Sequence, residues 1–156
     1  MKIQLTVEEL HGGLKPFASF LCKFPKQHKL FPINAFIDTG SPWTSISAAQ
    51  LLKKNIPVNS VIDKNDWKKV HLGGCAHKAH PIKEPIEFIF KTEDNKMIRL
   101  NPPRVYVYLP MNSDKASKSA SYSLPSIIGV DSLIYCDIAL YFRPSKQIAW
   151  FELQDE

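Results

Sequence analysis

An all-β domain, arranged as a barrel with one or two short helices, is the fold this sequence predicts. Three observations predict it. Short segments alternate apolar and polar residues with period two, as "KIQLTVE" does at 2–8. Twelve prolines break the chain into short elements. Only "SAAQLLKKN" and the residues after "PSIIG" carry helix-forming patterns. Many short strands with few helices fit a sandwich or barrel. A length of 156 residues fits one domain, taken as 1–156.

The elements follow in order. Ile3, Leu5 and Val7 share one face of the strand at 2–8, and "HGG" at 11–13 is a turn. "PFASFLCKF" at 16–24 and "INAFI" at 33–37 give the second and third strands. Ser47 is a suitable N-cap for a short helix through Ala48, Ala49, Leu51 and Leu52. Residues 67–71 form a strand entering "LGG". "PIEFIF" and "MIRL" form a hairpin across "KTEDNK", and "RVYVYLP" is a further alternating strand. "MNSDKASKSASYS" is polar and rich in serine and lysine, which predicts a mobile surface loop. "PSIIGVDSLIYCDIALYF" at 125–142 reads as an apolar run, a short helix and a strand, and "QIAWFEL" closes the chain as a last strand.

Composition bounds function. The net charge of +5 comes from basic residues that stand singly or in pairs, such as Lys53-Lys54 and Lys68-Lys69. That spacing predicts a solvated surface and no nucleic-acid partner, which would need clustered charge. No run reaches the roughly 18 apolar residues of a membrane helix, so no membrane partner is expected. "MKIQLTVEEL" lacks the continuous apolar core of a signal peptide and reads as a strand. Cys22, Cys75 and Cys136 are odd in number and widely spaced, which argues for a reducing compartment and a cytoplasmic location.

The segment that carries chemistry is "AFIDTGSPWTSIS" at 35–47. An apolar strand delivers Asp38 to the edge of the core. Gly40 permits a tight loop, and the hydroxyls of Thr39 and Ser41 can orient a carboxylate. A positioned general base needs these features. The same residues also make a good Asx-type turn, and spacing alone leaves both readings open.

Context adds weight to the reacting carboxylate. "AFIDTGSPWTSIS" followed by a short helix resembles the active-site loop of the aspartic proteases, in particular the single-lobe retropepsin type. "PSIIGVDSLIYCDIALYF", with Ile128 and Gly129, resembles the late segment that packs beside that loop in a ψ-shaped arrangement. The resemblance implies a closed antiparallel barrel of the retropepsin type. It implies Asp38 as the catalytic residue, supported by Thr39, Gly40 and Ser41, with Ile128 and Gly129 at the cleft. It also implies a hairpin flap over the cleft, for which "KKVHLGGCAHKAHPI" with Gly73 and Gly74 at its tip is the candidate. The chain departs from the family in having only two flap glycines, no flap tyrosine of the two-lobed enzymes, and a longer interval between the motifs.

The mechanism implied by the resemblance needs two facing carboxylates that share a proton and activate a water on a peptide or protein substrate, with no cofactor or metal. The chain holds one Asp-Thr-Gly. Asp131 reads as a helix N-terminal residue and Asp137 as a turn residue, so a second identical chain is expected, with Thr39 bonding across the two-fold axis and strands 2–8 and 147–153 at the interface. A catalytically inactive binding or dimerisation module on the same fold is the rival reading. His71, Cys75, His77 and His80 lie close in sequence, but H-x3-C-x-H-x2-H matches no common zinc pattern, and strand alternation would split them across two faces. Ser41 and Ser47 lack the G-x-S-x-G elbow of a serine hydrolase, and nothing supports Cys75 as a nucleophile. Tyr106, Tyr108, Tyr141, Phe142, Trp150 and Phe151 read as core or interface.

Overall fold

The computed structural model describes residues 1–154; residues 155 and 156, the end of the predicted domain, lie outside them. The first hairpin joins β1 (Lys2–Leu10) to β2 (Gly13–Phe24) through His11 and Gly12, whose φ of 51° and 78° define a two-residue turn that matches the strand twist. The second strand therefore begins before the predicted residue 16. After a 3-10 turn at Pro25–Gln27 comes β3 (Lys29–Asp38). It is longer than predicted because Pro32 is tolerated where β3 has β2 on one side only.

Next come β4 (Thr44–Ser45), α1 (Ala48–Lys53) and α2 (Val58–Val61). The Ser47 hydroxyl accepts from the Gln50 N–H at 3.4 Å, as the predicted cap requires. The sequence reading gave no helix at α2, a single turn whose Val58 and Val61 are buried. Then follow β5 (Lys68–Leu72), β6 (Cys75–Pro81), β7 (Glu87–Lys91), β8 (Met97–Leu100) and β9 (Val105–Pro110). The predicted mobile loop is instead α3 (Lys115–Tyr122). Asp114 caps it, accepting from the Ser117 N–H at 2.9 Å and the Ser117 hydroxyl at 2.8 Å. Its composition is polar because the helix packs through few residues, and Ser121 is buried. β10 (Ser126–Gly129), α4 (Val130–Tyr135), β11 (Ile138–Arg143) and β12 (Ile148–Leu153) complete the described chain. No helix among the described residues is long and apolar enough to cross a membrane.

The strands pair in the order β11-β12-β1-β2-β3-β10-β4-β9-β6-β5, with the β7–β8 hairpin attached to β2. Two pairings, β3 with β10 and β4 with β9, are parallel. The expectation of a closed, antiparallel barrel is corrected accordingly: the fold is mostly β, but the path has two ends at β11 and β5 and the sheet is mixed. The reason is topological. β10 arrives from late in the chain and inserts between β3 and β4, and such a crossing can pair parallel to one of them.

Alternation fills the core as the sequence predicts. Ile3 and Leu5 point inward from β1, and Phe31, Ile33, Ala35 and Ile37 from β3. Phe20 lies 4.5 Å from Phe88 and 4.8 Å from Phe90 by ring centroids, and Phe24 and Phe151 are fully buried. Each such side chain removes 150–250 Å² from water, by a general approximate scale, so this cluster dominates the apolar burial. Tyr106, Tyr108 and Phe151 are core residues, while Tyr141 and Trp150 stack at 3.8 Å as a cross-strand pair.

Candidate active site

Asp38 ends β3. Ile33, Ala35 and Ile37 are buried on one face of that strand, so alternation places Phe36 and Asp38 on the other, where both are half-buried. The Ser41 N–H donates to the Asp38 carbonyl at 3.0 Å, which closes the turn. The Gly40 N–H donates to Asp38 Oδ1 at 2.9 Å and fixes the carboxylate. The expected Asx-type turn is therefore present, and it fixes where the carboxylate points. Gly40 is not in the left-handed region; its role is space, because a Cβ there would stand 3.2 Å from Asp38 Oδ1. Thr39 is exposed at the turn, and Ser41 is buried with its hydroxyl donating to the Trp43 carbonyl at 2.9 Å.

β10 threads between β3 and β4, two strands adjacent in sequence, which is the ψ-shaped arrangement. Gly129 pairs with Asp38 and Ile128 with Ile37 in parallel register. At Gly129 the chains approach so closely that a Cβ would lie 2.5 Å from both the carbonyl carbon and the oxygen of Trp43. The Val130 N–H donates to the Ser41 carbonyl at 2.9 Å and locks the two segments together. Ile128 is a core residue that pairs with Ile37, buried on the face away from Asp38, so it packs behind the strand that carries the carboxylate.

The residue that organises this junction is Thr44, which sequence reasoning missed. It is fully buried. Its hydroxyl donates to Asp131 Oδ1 at 2.7 Å and accepts from the Gly129 N–H at 3.0 Å and from the Ser132 hydroxyl at 2.6 Å. One donor and two acceptor positions are thus all used. The Thr44 N–H donates to Asp131 Oδ2 at 3.1 Å. Asp131 sits in the first turn of α4, as predicted, and this task engages its carboxylate. Thr44→Val keeps the shape but strands the Gly129 N–H and the Ser132 hydroxyl in the interior. An unfolding free energy lower by about 2–4 kcal/mol is expected in a urea titration.

β5 and β6 form a hairpin whose tip is Gly73-Gly74, with φ of 58° and 76°. Both values lie in the left-handed region, so this is the tight turn that favours two glycines. His77, at 1% exposure, crosses to this hairpin's other strand. Its Nε2 donates to the Leu72 carbonyl at 3.1 Å, an acceptor only. Its Nδ1 must then accept from the Ser121 hydroxyl of α3 at 2.8 Å. The unpredicted helix thereby braces the hairpin.

No protein-family model matches the chain, and no curated protein matches it. Among solved structures, a retropepsin-like aspartic protease from Rickettsia conorii matches with a TM-score of 0.54 and 13% sequence identity, covering 98% of this chain and 91% of that one. The fold is retropepsin-like. β10 brings its glycine against the Asp38 loop, and the β5–β6 hairpin lies between these two segments in chain order.

The other predicted groupings resolve structurally. His80 Nδ1 contacts the Asp63 carbonyl at 3.0 Å, whereas His71 and Cys75 are exposed. Among the described residues, no three His, Cys, Asp or Glu side chains converge in a way that could hold a metal ion. Burial pushes the Tyr108 hydroxyl up to about 12, so it stays a neutral wall of the junction. A groove of about 940 Å³ lies elsewhere, lined by Lys2, Glu93, Arg99, Cys136 and Asp137 among others, and no residue of the Asp38 loop lines it.

Proposed function

We propose that this chain is an aspartic endopeptidase in which Asp38 of two identical chains forms the catalytic pair. The observation that carries the reading is the setting of Asp38: a carboxylate at a strand end, held by the Gly40 N–H at 2.9 Å and backed by Gly129 in the ψ junction. Asp131, the other acid of this junction, is engaged by Thr44 and by its own neighbour's N–H at 2.8 Å. The chain therefore supplies one carboxylate where the chemistry needs two. Two like charges that close cannot both ionise, so the pair shares one proton. The ionised member takes a proton from water as the water oxygen bonds to the scissile carbonyl carbon. The protonated member donates to the carbonyl oxygen. Collapse of the tetrahedral intermediate then breaks the C–N bond, with a proton passing to the leaving amine.

The surface beside the junction supports a second copy. Ile134 and Tyr135, on the helix that Asp131 ties to Thr44, are 74% and 65% exposed. Thr39 is exposed at the turn and free to bond across a two-fold axis. β12 lies between β1 and β11, so it offers no open edge for an interleaved sheet; the terminal strands would contribute through their faces.

The test is cleavage of a denatured generic protein from mildly acidic to neutral pH, with and without a transition-state-mimicking inhibitor of aspartic proteases. Activity should fall at both pH extremes, because the shared proton is lost at one and doubled at the other. Sedimentation should show a dimer at the working concentration. Cleavage that ignores the inhibitor, or comes from a monomer, refutes the proposal; inactivity throughout favours the non-catalytic module.

A further inference from the structure

Strand register gives the composition of the face that carries Asp38. Directly paired residues share a face, so Phe36, Ile127, Ser45 and Tyr106 run across β3, β10, β4 and β9 on the Asp38 side. Tyr108, Ala79 and Lys68 extend the same face through β6 to β5, and Val70 and Leu72 follow Lys68 at intervals of two. Phe36, Trp43, Val70 and Leu72 are only partly buried and pack on the buried Tyr106, Tyr108, Ala79 and Ile127. The face beside Asp38 is therefore an apolar and aromatic strip with part of its surface open.

Its charge has one sign at the flap. Residues 67–83 contain Lys68, Lys69, Lys78 and Lys83 and no aspartate or glutamate. Lys68 is exposed, and its Nζ stands 5.0 Å from the ring centroid of Trp43, two residues past Ser41 of the Asp38 loop. Trp43 in turn lies 5.5 Å from Tyr106. The other charges facing this cluster do not cancel Lys68. Arg104, 5.6 Å over Tyr106, is paired with Asp66 at 2.6 Å. Lys15, 5.9 Å over Phe36, faces Glu8 across β1 and β2. Lys68 makes no ion pair among the described residues, so its cation rests on an aromatic ring beside the strip.

Resting on the peptidase reading above, we propose that this site selects peptide segments in which apolar residues at the scissile bond are flanked by acidic residues. The apolar strip takes the central side chains, and Lys68 at its margin takes a carboxylate. Because a two-fold pair repeats Lys68 at both ends of the cleft, the acidic preference falls on both sides of the cut bond. The negative carboxylate pair repels acids at the bond itself and confines the preference to outer positions.

Two quenched peptides, identical except that glutamates flanking an apolar centre are glutamines in the second, test this. Wild type should cleave the glutamate peptide with kcat/KM roughly three- to tenfold higher at low ionic strength, and the ratio should shrink in about 0.5 M salt. Lys68→Met should bring the ratio near one, and Lys68→Glu should invert it. Equal cleavage by wild type, or a preference that survives Lys68→Glu, overturns the proposal. If neither peptide is cleaved, the catalytic reading fails, and calorimetric titration of the Asp38→Asn chain with the same peptides decides the specificity: tighter binding of the glutamate peptide sustains it, and equal binding or none overturns it.

Discussion

Asp38→Asn leaves the protein folded and removes peptidase activity by at least about 10³-fold, the scale of a lost general acid–base pair. The fold survives because an asparagine Oδ1 can still accept the Gly40 N–H that now reaches Asp38 Oδ1 at 2.9 Å. Circular dichroism and sedimentation should therefore match wild type. A mixing experiment sharpens the result. If one site is built from two chains, co-refolding wild type with an equal amount of Asp38→Asn leaves only about a quarter of the dimers with two aspartates. Activity should fall to about that quarter. A fall to about half would mean each chain works alone, and retention of activity by the pure variant within about tenfold would remove Asp38 from the chemistry.

Gly129→Ala has the largest expected effect on stability. The added Cβ would meet the Trp43 carbonyl carbon and oxygen at 2.5 Å and the Ser41 carbonyl at 2.9 Å, all backbone atoms that no rotamer change can move. Relief requires β10 and the Asp38 loop to separate. That strains the Val130 N–H to Ser41 bond of 2.9 Å and the Gly129 N–H to Thr44 bond of 3.0 Å. Overpacking of this kind costs about 3 kcal/mol or more. At this chain length that lowers Tm by roughly 10 °C. Gly12→Ala is the control. Nothing lies within 4 Å of its Cβ and only its φ of 78° is strained, so a cost of about 1 kcal/mol is expected. If both variants melt alike, steric closeness at Gly129 is not what holds the junction.

Lengths, alternation and turn chemistry were legible in the residues. "HGG" and "LGG" place turns where the backbone has positive φ at His11, Gly12, Gly73 and Gly74. Ser47 caps its helix, and Asp131 stands in the first turn of another. These features depend on neighbours in the chain. The misreadings share a cause. Residues 115–122 looked like solvent-exposed coil because their helix earns its place from one cap and a few inward contacts, Ser121 to His77 among them. The open path from β11 to β5 and the two parallel pairings were not legible because both depend on which distant strands meet. Thr44 was overlooked because its partners Gly129, Asp131 and Ser132 lie more than eighty residues away.

A strand that ends on Asp38 with a glycine two residues on, and a single Asp-Thr-Gly per chain, are legible in the residues alone. Local sterics and hydrogen bonding specify such a turn with little help from the rest of the molecule. What stands behind the carboxylate depends on long-range packing. β10 threads between β3 and β4 because Gly129 lets two backbones approach within the space of a missing methyl group, and Thr44 absorbs the polar groups that this approach buries. Close packing and buried hydrogen bonds are satisfied between segments far apart in the chain, so periodicity along the sequence could not reveal them.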